Sequence, residues 1–276
     1  LKGGEKSVAD IFAKKLCHSV LRVGGVPTLR FWRDLEDKYQ ALPVVSLSSG
    51  DYTGLSRPVG HLVGLQNGVL LEAKWSNDHR RQIFEEDQLR TEKLRALLQK
   101  YPQSEQGLLF ELTQKIAGCF MYVGNSLPIR AVDLVLPREI SFARISGNRG
   151  ANGIDGQISS FLGLASNTQE NWAVIGDLTA LYDLSGLWAT RFLASAKIRI
   201  VVMNNQGGQI FKNMFHKKIF LNEHELHFNK WAEMWGFSYG QWDKIPDSLD
   251  LPAKCILELT PDASQTDLFV KESHHL

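Results

Sequence analysis

Trp172-Ala173-Val174-Ile175-Gly176-Asp177-Leu178-Thr179 and Ile198-Arg199-Ile200-Val201-Val202-Met203-Asn204-Asn205-Gln206-Gly207-Gly208 decide how this chain is read. Each is a short apolar run closed by small and polar residues, the pattern of a buried strand entering a loop. Strands are expected over 172–175 and 198–203, with a helix from about Thr179 to Leu193 between them. Asp177 and Asn205 stand 28 positions apart, the length of one strand–helix–strand crossover. The two strands can then be neighbours, with both side chains at the same rim of a parallel sheet. Ligands of such sheets sit beyond the carboxyl ends of the strands. Asp177 offers a carboxylate oxygen, Asn205 an amide oxygen and Gly207 a backbone carbonyl in a glycine turn. Three hard oxygens suit Mg²⁺ or Ca²⁺; Mg²⁺ usually completes its octahedron with phosphate oxygens and water. A helix starting near Thr179 would add its free amides and partial positive charge. Taken singly, Gly-Asp reads as an ordinary helix cap and Asn-Asn-Gln-Gly-Gly as an ordinary turn. Their spacing across one crossover links them.

The same alternation extends outward. Helices are expected over 108–117, 128–136 and 155–164, and strands over 120–123 and 255–259, giving an α/β domain with helices on both faces of a parallel sheet. Upstream, strands at 20–23 and 44–47 flank a helix at 29–39 and form a small βαβ unit. Pro43 stands just before the second strand, where its missing N–H does least harm. A helix is also expected over 7–17, and 60–71 is an apolar stretch broken by glycines. Residues 80–100 alternate in charge and read as a solvated helix stopped by Pro102. The domain division is placed there, between 1–103 and 104–276.

The bulk properties exclude several classes. The 276 residues are 43% hydrophobic and carry 31 basic and 30 acidic side chains, for a net charge of +1. Such a balance provides no field for nucleic acid or an anionic membrane. No run of about 18 apolar residues marks a membrane span. Cys17, Cys119 and Cys255 are sparse and lack metal-ligand spacing, which suits a reducing cytoplasm.

Four ordered segments carry a family resemblance. Gly176-Asp177 with Asn204-Asn205 resembles the cofactor motif of thiamine-diphosphate enzymes, which begins Gly-Asp-Gly and ends Asn-Asn after a stretch of this length. Leu178 replaces the third glycine, a departure similar to the menaquinone-pathway synthases, whose segment resembles Gly176-Asp177-Leu178-Thr179-Ala180-Leu181-Tyr182-Asp183-Leu184. Val123-Gly124-Asn125-Ser126-Leu127, the stretch Ser146-Gly147-Asn148-Arg149-Gly150-Ala151-Asn152-Gly153-Ile154-Asp155-Gly156, and 204–211 look like the same branch, as does the terminal Ser273-His274-His275-Leu276. The matches are dense from about 120 to 215 and thin before 110.

The resemblance implies a thiamine-diphosphate-binding fold and a Mg²⁺ ion, with Mn²⁺ as a substitute, held by Asp177, Asn205 and the Gly207 carbonyl. Gly153, Ile154, Gly176, Leu178, Thr179 and Ile210 would also contact the cofactor, with Ile154 propping its two rings into a V. Ser126, Arg130, Arg149 and Phe211 match substrate-contacting positions. Core packing serves Ile210 and Phe211 equally well, and Arg130 has an ordinary reading as a solvated helix arginine. The implied substrates, 2-oxoglutarate and isochorismate, are dianions that guanidinium forks hold well. The implied reaction decarboxylates the first and joins the remainder to the second, giving 2-succinyl-5-enolpyruvyl-6-hydroxy-3-cyclohexene-1-carboxylate. The activating glutamate of this family lies on an N-terminal domain and has no match here. The chain therefore reads as a fragment, inactive alone, of a cytoplasmic homodimer or homotetramer, with 1–103 as the remainder of a smaller middle α/β domain and 104–276 as the diphosphate- and metal-binding domain. A 2-oxo-acid decarboxylase, an acetolactate-type synthase or a non-catalytic cofactor-binding module are the alternatives.

Other features are set aside. Arg57 matches a substrate position too loosely. His224 and His227 beside Glu223 and Glu225 read as a solvated helix. Asp183 lies too far along its expected helix to reach the rim. Trp231, Trp235, Phe237, Tyr239 and Trp242 read as core or interface.

Overall fold

The computed structural model describes residues 4–27, 30–64, 77–148, 153–212 and 217–274. The chain divides into two compact units, Leu1–Leu94 with Leu276, and Arg95–His275.

In the first unit, α1 (Gly4–Ala13), β1 (Val20–Val23), α2 (Phe31–Asp37), β2 (Val44–Ser48) and β3 (Gly60–Val63) build a three-stranded parallel sheet in the order β1-β2-β3. The expected βαβ unit is present, and β2 opens directly after Pro43. The third strand comes from the glycine-broken stretch. Its core is Phe12, Trp32, Leu35 and Val44, with the Phe12 ring stacked on Phe31 and Tyr39 at 5.7 and 5.1 Å. Arg57 donates to the carbonyls of Gln40 and Leu42, so it ties a loop. A helix α3 (Asn77–Lys100) follows. It begins as the expected charged face, buries Leu94, Leu97 and Leu98 in its last turns and ends before Pro102.

The second unit runs α4 (Glu105–Lys115), β4 (Phe120–Val123), α5 (Leu127–Val135), β5 (Arg144–Ser146), α6 (Gln157–Leu164), β6 (Glu170–Gly176), α7 (Asp177–Tyr182), a 3-10 helix Leu184–Phe192, β7 (Lys197–Met203), 3-10 turns Gln209–Phe211 and Lys218–Leu221, α8 (Asn229–Met234), β8 (Ser238–Trp242), β9 (Lys254–Leu259) and α9 (Ala263–Ser273). All six strands are parallel, in the order β5-β4-β6-β7-β9-β8. The central strands β6 and β7 read as near-continuous apolar runs because helices cover both faces. Trp172, Ala173, Val174, Ile175, Ile198, Ile200, Val201, Val202 and Met203 are all buried.

The chain leaves β4 toward β5 and leaves β6 toward β7. The crevice between the carboxyl ends of β4 and β6 is therefore the topological switch point, where parallel sheets bind ligands. Gly124, Asn125 and Ser126 stand on one side, Gly176 and Asp177 on the other. Asn204 to Gly208 follow β7, one strand further along.

Two expectations are corrected. The helix from Thr179 to Leu193 is instead a six-residue α-helix from Asp177 and a separate 3-10 helix. The break falls at Asp183, whose carboxylate accepts from the amide and hydroxyl of Ser159 at 2.8 and 3.2 Å. It thereby satisfies an open first-turn amide of α6 and takes no part at the rim, as its distance along the chain implied. His224 and His227 lie on no helix: residues 222–228 form a loop, whose His224 amide donates to the Gln206 carbonyl and whose Leu226 carbonyl accepts from Asn204 Nδ2. Most of the aromatic group is core: Trp231 and Phe237 are buried, and Trp235 and Tyr239 pack against them, while Trp242 is half-buried in β8.

Candidate functional site

Register places the key groups. Gly176 pairs with Met203 across β6 and β7, so the loops that follow these strands leave the sheet side by side. Asp177 is 2% exposed. Its Oδ1 accepts from the Leu178 amide at 2.6 Å and its Oδ2 from the Gly207 amide at 2.9 Å. That second bond joins the two halves of the sequence motif directly. Gly207 has φ +135°, and a Cβ there would meet the Leu221 carbonyl oxygen at 2.5 Å, so only glycine fits.

Asn205 donates from Nδ2 to Glu105 Oε2 at 3.1 Å. Its Oδ1 and Glu105 Oε1 are buried without hydrogen-bond partners. Burial pushes the Glu105 carboxyl up to about 7, with the nearby Asp177 charge adding to the shift and the Asn205 hydrogen bond opposing it. Asp177 is likewise raised by burial, against the pull of the Gly207 and Leu178 amides and of His224. Two buried carboxyls beside an amide oxygen with no partner call for positive charge, and a divalent cation supplies it. Among the described residues no three His, Cys, Asp or Glu side chains form a metal cluster. A site of one carboxylate, one amide and one carbonyl oxygen is of another kind, suited to a hard cation.

The His224 ring faces this carboxylate. The Leu226 amide donates to His224 Nδ1 at 3.2 Å, which turns Nε2 toward Asp177. Nε2 lies 3.4 Å from Asp177 Oδ2. The sequence gives no sign of Glu105, and His224 was expected on a solvated helix. Glu105 resembles any acidic residue in a first helical turn, and its partner lies a hundred residues away.

Asn204 plays a different role from Asn205. Its Nδ2 donates to Glu258 Oε1 at 2.8 Å and to the Leu226 carbonyl at 2.9 Å. Glu258 is fully buried in β9 and also accepts from the Phe228 amide and the Tyr239 hydroxyl, with His227 Nδ1 2.7 Å from Oε1. These hydrogen bonds outweigh burial and hold its carboxyl below the usual range. Glu258→Ala leaves several buried donors without an acceptor, at about 1–3 kcal/mol each. We expect a loss of about 3 kcal/mol or more in urea unfolding; a loss below about 1 kcal/mol would contradict the clamp.

Across the switch point, the Asn125 amide donates to Gln157 Oε1 at 2.8 Å, and Asn125 Nδ2 and Gln157 Nε2 both donate to the Gly153 carbonyl. These bonds draw Gly153 and half-buried Ile154 against the Gly124-Asn125-Ser126 loop. Gly124 lets this loop approach β6, since a Cβ would stand 3.1 Å from Ile175 Cγ2. Ser126 has φ +72° at the entry to α5, and exposed Arg130 follows four residues later on the same helical face. Thr179 is buried and Leu178 half-buried. Leu178 Cδ1 and Phe211 Cδ2 would lie 3.6 and 3.3 Å from a Cβ on Gly208, so these apolar groups flank the turn. Ile210 is half-buried and Phe211 is 37% exposed; neither is core. Arg149 lies outside the described residues, as do residues 150–152 and the last two of the terminal motif. The other predicted positions lie at the carboxyl ends of β4, β5, β6 and β7 or in the loops and helical turns that follow them.

No family model matches the chain. Individual proteins do. It is 48% identical over 275 residues to a 2-succinyl-5-enolpyruvyl-6-hydroxy-3-cyclohexene-1-carboxylate synthase of Bdellovibrio bacteriovorus, covering 99% of this chain and 52% of that one. Proteins of the same name from Akkermansia muciniphila and a Roseiflexus species are 33% and 30% identical, covering 90% and 88% of this chain and 49% and 46% of theirs. The chain thus spans about half the length of these curated relatives.

Proposed function

This chain is a relative of the 2-succinyl-5-enolpyruvyl-6-hydroxy-3-cyclohexene-1-carboxylate synthases along nearly its whole length, and on that premise we propose that it carries the metal- and diphosphate-binding part of such an enzyme. The enzyme decarboxylates 2-oxoglutarate and adds the remainder to isochorismate, within menaquinone biosynthesis. The observation that carries this reading is the contact between Asp177 and Gly207 across adjacent strand ends, on a chain 48% identical to a synthase.

In this reading Asp177, Asn205 Oδ1 and the Gly207 carbonyl hold Mg²⁺, or Mn²⁺ in its place, and residues 104–276 act as the binding domain. Thiamine diphosphate, when bound, supplies a carbon nucleophile and a sink for the electron pair left by carbon dioxide. Gly153, Ile154, Gly176, Leu178, Thr179 and Ile210 would line its place, with the Ile154 side chain as its apolar support. Ser126, Arg130 and Arg149 take the substrates' carboxylates, and Phe211 closes an apolar wall that excludes water. The activating glutamate would come from the part of the relatives that this chain does not cover, so the chain alone turns over no substrate. Assembly as a homodimer or homotetramer fits the exposed Tyr182, Trp188 and Phe192 on the elements that follow Asp177. No described helix is long and apolar enough to cross a membrane. The three cysteines are free thiols, as a reducing cytoplasm would keep them.

The test is release of labelled carbon dioxide from 2-oxoglutarate by the chain extended to its relatives' full length, with thiamine diphosphate and Mg²⁺. Release that requires isochorismate supports the synthase. Release without it points to a plain decarboxylase. In the same assay Arg130→Ala, at an exposed position that costs the fold little, should raise KM for a dianionic substrate about 10–100-fold, the worth of one charge-assisted hydrogen bond. An unchanged KM removes Arg130 from the substrate site.

A further inference from the structure

Glu105 is 2% exposed in the first turn of α4. Its carboxylate has one hydrogen bond in the structure, from Asn205 Nδ2, and Oε1 has none. No cation pairs with it among the described residues. Burying a carboxylate on a single neutral donor is unfavourable, so packing does not explain its presence. Its effect on Asn205 does. The ionised carboxylate only accepts, and the structure has it facing the NH₂ side of the Asn205 amide. The amide is thereby turned with Oδ1 away from Glu105, and that oxygen is buried without a partner. Two residues further on, the Gly207 amide is fixed to Asp177. The Glu105 backbone is itself anchored, its amide donating to Thr266 Oγ1 at 3.1 Å.

We propose that Glu105 is a positioning residue for the divalent cation: it holds Asn205 Nδ2 and so presents Oδ1 of the same amide to the metal. It acts from outside the coordination sphere, as carboxylates behind metal ligands commonly do. The inference rests on the metal reading above.

Mn²⁺ binding followed by electron paramagnetic resonance, with and without thiamine diphosphate, tests it on the whole chain. Glu105→Leu keeps the volume and removes the acceptor; it should weaken Mn²⁺ binding about 10–100-fold while the metal-free protein melts no lower. Glu105→Gln keeps an acceptor for Nδ2 and should stay within about threefold of the parent. Unchanged affinity in Glu105→Leu would overturn the proposal. Equal losses in both variants would overturn it too, since the charge and not the hydrogen bond would then matter. Glu105→Gln also guards against a Leu variant that fails to fold. Asp177→Ala serves as the control: if it binds Mn²⁺ like the parent, the metal reading itself falls, a result distinct from a failure of Glu105 alone.

Discussion

Asp177→Asn is expected to weaken Mn²⁺ binding about 100-fold or more, beyond the 10–100-fold typical of an outer partner, and to raise the melting temperature of the metal-free protein. Both effects come from one property. The Asp177 carboxyl is buried, close to a second buried carboxyl at Glu105, and raised by its surroundings. Without a cation that arrangement is a standing cost, which an amide of the same shape removes. The asparagine oxygen can still accept from the Gly207 amide, so the turn is kept while the charge is lost. A gain of about 1 kcal/mol would lift the melting temperature of a domain of this size by about 2–4 °C. Carbon dioxide release by the full-length enzyme should vanish with the metal. Retained Mn²⁺ affinity, or a clear drop in metal-free stability, would show that Asp177 is a structural carboxylate.

Gly207→Ala is the second large effect. At φ +135° an L side chain is strained by about 1–3 kcal/mol before any contact is counted. The new Cβ would then meet the Leu221 carbonyl oxygen at 2.5 Å, the Asn222 oxygen at 3.1 Å and Glu223 Cα at 3.2 Å. All three are backbone atoms, so relief requires moving the loop itself or the turn that carries Asn205. The first displaces His224, which faces Asp177; the second displaces the amide hydrogen-bonded to Asp177 and the carbonyl proposed as a ligand. We expect a melting temperature lower by several degrees, at about 2–4 °C per kcal/mol, and Mn²⁺ binding weakened about tenfold or more. A variant with parent-like melting and affinity would mean that the turn tolerates another shape and does not hold the metal.

These effects meet at residues of unequal legibility. Asp177, Asn205 and Gly207 could be read because each follows directly on a strongly apolar strand, and a strand's end fixes where the next few side chains go. The β6-β7 neighbourhood needed only the crossover length. Strand β5 was missed because it is three residues of mixed polarity, and β8 because Ser238-Tyr239-Gly240-Gln241-Trp242 reads as an aromatic cluster. The break at Asp183 was invisible because Ser159, which captures its carboxylate, comes from a different helix. Glu105 was missed, and His224 was set aside as solvated, for the same reason. Their meaning lies in contacts with Asn205 and Asp177, and no local pattern records a contact across a hundred or nearly fifty residues.

The claim at the centre is where the metal sits. Anomalous scattering from a crystal of this protein grown with Mn²⁺ and thiamine diphosphate measures that position directly. The account predicts one strong peak at the carboxyl ends of β6 and β7, bounded by an Asp177 carboxylate oxygen, Asn205 Oδ1 and the Gly207 carbonyl, at roughly 2.0–2.3 Å as for small hard cations. A peak elsewhere, with Asp177 still hydrogen-bonded to Gly207 and no metal at the rim, would contradict it.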